Sequence, residues 1–241
     1  MMAPYARWLL QFYDPDQETW ENDPQRTRAA IIVEARPDFW LPMVIANFSE
    51  MLDESWNIYH VNPRADDFWL PAYRVGNPFN MTAEEYNRLL RNPLFWEHFT
   101  EDTLLIFQVD CVALRPLSFA DTRFALIGAP CGGTGDAMIY NGGLSVRDRL
   151  TSREAALADY SAATVEDIYF TETLREMGVP LPSAREAAAF ALESVWLPGT
   201  VPFGVHGTDK YHHSPLTAQN VLTHARGARP AVRAELPGGR D

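Results

Sequence analysis

The sequence predicts one α/β domain with a mixed, mostly parallel central sheet flanked by helices. Three observations predict it. The segment 29–61 reads strand, helix, strand, and a β–α–β unit closes most simply as a parallel pair with a crossover helix. The run TLLIFQV at 103–109 is the strongest strand signal in the chain and ends on Asp110. The 241 residues, 46% of them apolar, suit one domain with a substantial core.

The elements follow in order. AAIIVE at 29–34 is a β-branched apolar run of strand length. Arg36-Pro37-Asp38 breaks it, and helix-like periodicity then runs over 38–54. WNIYHV at 56–61 is a second strand. Residues 82–91 form a helix with a capping Thr82, early glutamates and a late Arg91. Asn92-Pro93 ends it, and 94–99 adds a helical turn. ALIGA at 125–129 is another strand, and the glycine-rich 130–136 reads as a mobile loop without the Gly-Lys-Ser/Thr ending of a P-loop. Helices are expected near 149–160 and 165–177, the second closed by Gly178 and Pro180. Residues 184–193 read as helix, with 190–193 open to strand, and 201–206 as a short strand. From 214 onward Gly, Pro, Ala and Arg dominate, so 214–241 is expected to be a flexible tail behind a domain spanning 1–213.

Charge and cysteines narrow the function. A net charge of −12 disfavours general phosphate contacts with nucleic acid. Cys111 and Cys131 form no CxxC and imply no disulfide framework. No run reaches membrane-spanning length, and no stretch reads as a signal peptide, so a reduced, cytoplasmic setting without membrane partners is expected.

Four segments carry chemistry. Asp110 stands at the carboxyl end of a strand, where open α/β sheets bind ligands; it is either a carboxylate for a hard divalent cation or a loop cap. Asn141-Gly142-Gly143 allows close approach of a ligand or an ordinary turn, with Arg147 as a cation for phosphate. Glu166-Asp167 at a helix start either complements the helix dipole or supplies a general base. His206, after Pro202-Phe203-Gly204, is a metal ligand or a satisfied histidine, and Lys210 is a point charge for a diphosphate.

Ten short motifs recur in order: IVEARP at 32–37, WNIYH at 56–60, YNRLL at 86–90, FW at 95–96, LIFQVD at 105–110, IGAP at 127–130, NGGLSVR at 141–147, EDIYF at 166–170, FALE at 190–193 and PFGVH at 202–206. In that order they resemble a glycosyltransferase-like family similar to the GT-A nucleotide-diphospho-sugar transferases. The resemblance implies a nucleotide-binding half over 29–110 and an acceptor half over 111–213. It implies Glu34 and Arg36 as nucleotide contacts, and Asp110 as the metal acid of a DxD-type motif whose first acid is here Gln108. It further implies Asn141, Gly142 and Gly143 at the donor sugar, Asp167 backed by Glu166 as the base, and His206 completing the shell of Mn²⁺ or Mg²⁺. The expected donor is a UDP-sugar and the expected displacement inverting. The acceptor stays open, with a hydroxyl-bearing modified DNA base as a minority choice. The competing readings are a metal-dependent nucleotidyltransferase or phosphoesterase, and a non-catalytic nucleotide-sugar-binding module.

Overall fold

The computed structural model describes residues 3–12, 21–75, 80–133, 135–158, 165–208 and 215–228. Strands β1 (Arg28–Val33), β2 (Trp56–Val61), β3 (Thr103–Phe107), β5 (Leu126–Gly132) and β6 (Ile139–Asp148) form a five-stranded sheet in the order β2-β1-β3-β6-β5. β1 pairs in parallel with β2 and β3, whereas β6 is antiparallel to both β3 and β5. The reversal has a local cause. β1 and β2 are joined by the crossover helix α2 (Leu41–Met51), but β5 turns directly into β6, and a short connection permits only antiparallel pairing. A second sheet, in the order β4-β8-β7, consists of β4 (Val112–Ala113), β7 (Ala191–Leu192) and β8 (Gly204–Val205).

Alternation along β3 sends Leu105 and Phe107 to one core and Leu104 and Ile106 to the other. The first core also holds α2, α1 (Ala3–Leu9), the small sheet and α8 (Pro215–Ala228). The second takes Leu89 and Leu90 of α3 (Ala83–Leu90), Phe95 and Trp96 of α4 (Pro93–His98), Ala155 of α5 (Arg149–Leu157) and Phe170 of α6 (Glu166–Glu176). Asn47 of α2 spans the first core to bond both backbone groups of Ala113, at 3.0 and 2.7 Å, and the Trp8 indole also donates to the Ala113 carbonyl. These bonds fix the chain just after Asp110.

Two expectations need correction and one ambiguity resolves. Residues 215–228 are not part of a flexible tail: they form α8, and Ala218, Val221, Leu222 and Ala225 are buried on one face. That small-residue face was masked by the Gly, Ala and Arg composition around it. The ambiguity at 190–193 resolves as both structures in sequence, with α7 (Ala184–Phe190) passing directly into β7. The glycine-rich loop begins later than expected, since β5 continues to Gly132. Among the described residues no helix is long and apolar enough to cross a membrane.

Candidate active site

A cleft of about 500 Å³ opens where β1 and β3 end. Both strands run the same way, so their carboxyl ends deliver Glu34 and Gln108 to one edge, the usual place for a ligand in an open α/β sheet. The opposite walls come from α3, β6, the start of α6 and the residue after β8.

The wall from β6 is a bulge. Gly128 of β5 pairs with Ser145 and Pro130 with Tyr140, so β6 spends several extra residues over one short step of β5. Residues 141–143 lie in that excess. Bulges gather beside active sites because they free backbone groups and re-aim side chains. Here each freed group finds a side chain: the Gly142 amide donates to Asp167 Oδ1 at 2.6 Å and the Gly143 amide to Asn141 Oδ1 at 2.8 Å. The Gly142 carbonyl accepts from Ser145 Oγ at 2.9 Å, and the Gly143 carbonyl from Cys111 Sγ at 3.3 Å. Both glycines are required sterically. A Cβ on Gly142 would collide with Glu166 and Arg147, and one on Gly143 with His206. The Asn-Gly pair is therefore not a hairpin turn.

Glu166 and Asp167 stand at the first turn of α6 and both line the cleft. Glu166 Oε2 accepts from Arg147 at 2.7 Å, and both side chains are almost fully buried. The Arg147 guanidinium also lies over the rings of Phe170 and Trp96. This corrects its expected role at the donor: Arg147 is outside the cleft lining and acts behind it, as the buried counter-charge of Glu166. Among the described residues Asp167 forms no ion pair, although the charge of Arg147 reaches it. Burial, then the charge and hydrogen bond of Glu166, push its carboxyl well above the usual carboxylate range, with the Gly142 amide opposing.

Asp110 and His206 approach to 3.7 Å between Oδ1 and Nε2, although 96 positions apart in sequence. The Gln108 amide oxygen lies 3.2 Å from the same Nε2. On its far side the imidazole meets Glu193, with Nδ1 3.1 Å from Oε1. A hydrogen on Nδ1 directed at Glu193 leaves the Nε2 lone pair facing Asp110 and Gln108. Around Nε2 the Gln108 and Asp110 oxygens stand at 3.2 and 3.7 Å, against a roughly 3.0 Å ligand–ligand edge for an octahedron with ~2.1 Å bonds. The carboxylate behind the histidine is the usual support of a metal-bound imidazole. The donor set fits a divalent cation, with an amide where a second acid might stand. Cys111 Sγ falls within the same 4.8 Å cluster, but it is engaged with the Gln108 amide and the Gly143 carbonyl and reads as wall.

At the other end, Glu34 is buried and grips Arg36 in a fork, with Oε1 at 3.0 Å from Nε and Oε2 at 2.9 Å from a terminal nitrogen. This pairing raises the Arg36 pKa. Glu34 is thereby committed to Arg36, while the half-exposed guanidinium and Asp38 line the cleft. Lys210 lies outside the described residues.

Sequence reasoning assigned no role to Glu193, Tyr86 or Asn87. Glu193 bonds Asn141 at 3.0 Å as well as His206, so it joins the bulge to the metal-competent cluster. Its only sequence signal is an acid closing an otherwise apolar FALE stretch. Asn87 Oδ1 accepts from the Glu166 amide at 3.0 Å and caps α6 from outside it. Tyr86 and Asn87 both line the cleft, on a helix whose capping signals drew attention to its start instead.

No curated protein matches the chain. A family model, DUF5672, described as a protein of unknown function, matches residues 71–206. That span contains Asp110, the β6 bulge, the Glu166-Asp167 pair and His206, and it leaves out Glu34 and Arg36. Since it covers more than half of the sequence, the chain belongs to the DUF5672 family.

Proposed function

We propose that this protein is a metal-dependent glycosyltransferase of GT-A type that moves a sugar from a nucleotide-diphospho-sugar to a hydroxyl acceptor, with inversion. One observation carries the reading. A single cleft at the carboxyl edge of β1 and β3 holds a cation-competent cluster (Asp110, Gln108, His206) and a buried carboxylate with a raised pKa, Asp167. Transfer from a sugar diphosphate needs both, a neutralised leaving group and a base for the acceptor. The cation, when bound by Asp110 and His206, would neutralise the diphosphate. Arg36 and Asp38 at the end of β1 suit the nucleotide, and Asn141 with the Gly143 backbone suits sugar hydroxyls. Asp167 takes the acceptor proton once its own resting proton has left, and its high pKa makes it a strong base. A nucleotidyltransferase or phosphoesterase using two metals would want a second ligating acid, and Gln108 occupies that place.

The test is calorimetry of UDP and GDP with and without Mn²⁺, on the wild type and on Asp110→Asn. Affinity is expected to need the metal and to vanish in the variant while the fold persists. Equal binding in all four conditions for both nucleotides overturns the reading. A panel of nucleotide sugars, scored for slow donor hydrolysis, then identifies the donor.

A further inference from the structure

Beside the cleft lies a second cavity of about 640 Å³, within the range of small-molecule sites. Pro130, Met138, Ala188, Val195, Leu197 and Pro198 give it an apolar wall. Among its described lining residues the one charged side chain is the exposed Arg185, for which no ion pair is formed among the described residues.

Two chain segments tie this cavity to the cleft. Met138 lines the cavity, and Asn141, three positions on, lines the cleft. Glu193 bonds Asn141 and His206 in the cleft, and the next two residues, Ser194 and Val195, line the cavity. Cys131, an exposed residue, sits in the cavity wall, and partial desolvation of its thiol, then the charges of Asp167, Glu193 and Glu166, raise its pKa. The acids of the cleft are therefore within electrostatic reach of the cavity.

We propose that this cavity seats the acceptor, and that the acceptor is an apolar small molecule bearing a hydroxyl and one anionic group, the anion on Arg185 and the hydroxyl at Asp167. The assignment rests on the transferase reading of the cleft. A sugar acceptor suits the cavity poorly, because its many hydroxyls would lose water against apolar walls without partners. In a chain of net charge −12, a guanidinium that forms no ion pair among the described residues, at an apolar site, favours a carboxylate or phosphate. In the transfer, the acceptor oxygen bonds to the anomeric carbon as that carbon's bond to the diphosphate oxygen breaks. The acceptor proton passes to Asp167, and the nucleoside diphosphate leaves with the electron pair.

The experiment measures binding of 4-hydroxyphenylpropionate, its methyl ester and glucose to the full chain by saturation-transfer NMR and equilibrium dialysis, without donor. The carboxylate should bind about tenfold more tightly than the ester, and glucose should not bind. Arg185→Gln should erase the preference for the carboxylate, and Val195→Trp should block both aromatic probes; both positions are exposed, so the fold is spared. Failure of the carboxylate to bind, equal binding of glucose, or indifference to both substitutions overturns the proposal. The expected binding pattern without transfer from any nucleotide sugar supports the cavity assignment and overturns the transferase reading.

Discussion

Asp167 and Glu166 are adjacent and chemically alike, yet their surroundings divide them. Glu166 has a buried arginine, whereas Asp167 has a backbone amide and an anionic neighbour. The folded chain therefore holds a proton on Asp167 above the pH, about 3.9, at which an unfolded aspartate loses it. Over that window the folded state binds more protons, so this group's contribution to stability is full below about pH 4 and is lost as pH rises toward the folded pKa. Asp167→Asn should thus gain stability relative to wild type as pH rises, a difference that thermal melts at pH 5 and pH 8 would show; a pH-independent difference contradicts the raised pKa. The same substitution should leave donor affinity intact and lower turnover by about 10²-fold or more. In the wild type, kcat/KM should climb with pH along an alkaline limb as Asp167 deprotonates. The acidic pair was visible in the sequence. So was the preference for Asp167 as the base, with the other acid in a salt bridge; that both acids line the cleft was not expected, nor was the partner, since Arg147 was expected to face phosphate rather than Glu166.

Among the elements, β6 and α8 departed furthest from their sequence signals. Asn141-Gly142-Gly143 carries a hairpin signature, and only the pairing with β5 makes it a bulge. Gly143→Ala tests the bulge directly. Its Cβ needs the space of His206 Nε2, so the variant should lose metal-dependent nucleotide binding while circular dichroism stays native. Unchanged binding would show that the histidine can withdraw without loss. α8 shows how composition can hide an element: its buried face is largely alanine, valine and leucine at helical spacing, within a stretch that read as tail. Leu222→Ala should destabilise the fold by about 2–5 kcal/mol, measured by urea unfolding. A loss below about 0.5 kcal/mol, ordinary for a surface change, would return the segment to the tail.

Across the whole molecule, the strands of the β–α–β opening and the helices at 82–91 and 165–177 were legible because their periodicity and caps are local. The approach of His206 to Asp110 was expected from the family resemblance alone, and the part of Glu193 was not expected, since the three short strands of the second sheet bring these residues together. β4 and β7, two residues each, are too brief to leave a periodic trace. The cleft draws on residues from Val33 to His206, so a ligand that fills it should stabilise the chain as a unit. Mn²⁺ with UDP at about 100 times Kd should add about 2.7 kcal/mol to unfolding, raising Tm in a single transition. A melt that splits into two transitions on loading would show that the parts of the cleft respond separately.

The bulge in β6 also stores information in an unusual form. The cleft depends on how many residues separate Tyr140 from Ser145, because that number fixes which groups turn toward Asp167 and which toward His206. Each step along a strand reverses the direction of the side chain, so adding or removing one residue there would exchange the two sides. Heritable damage to this site should accordingly come more readily from insertions and deletions than from point changes. Relatives that keep the chemistry should keep this interval constant, even where the amino acids around it drift.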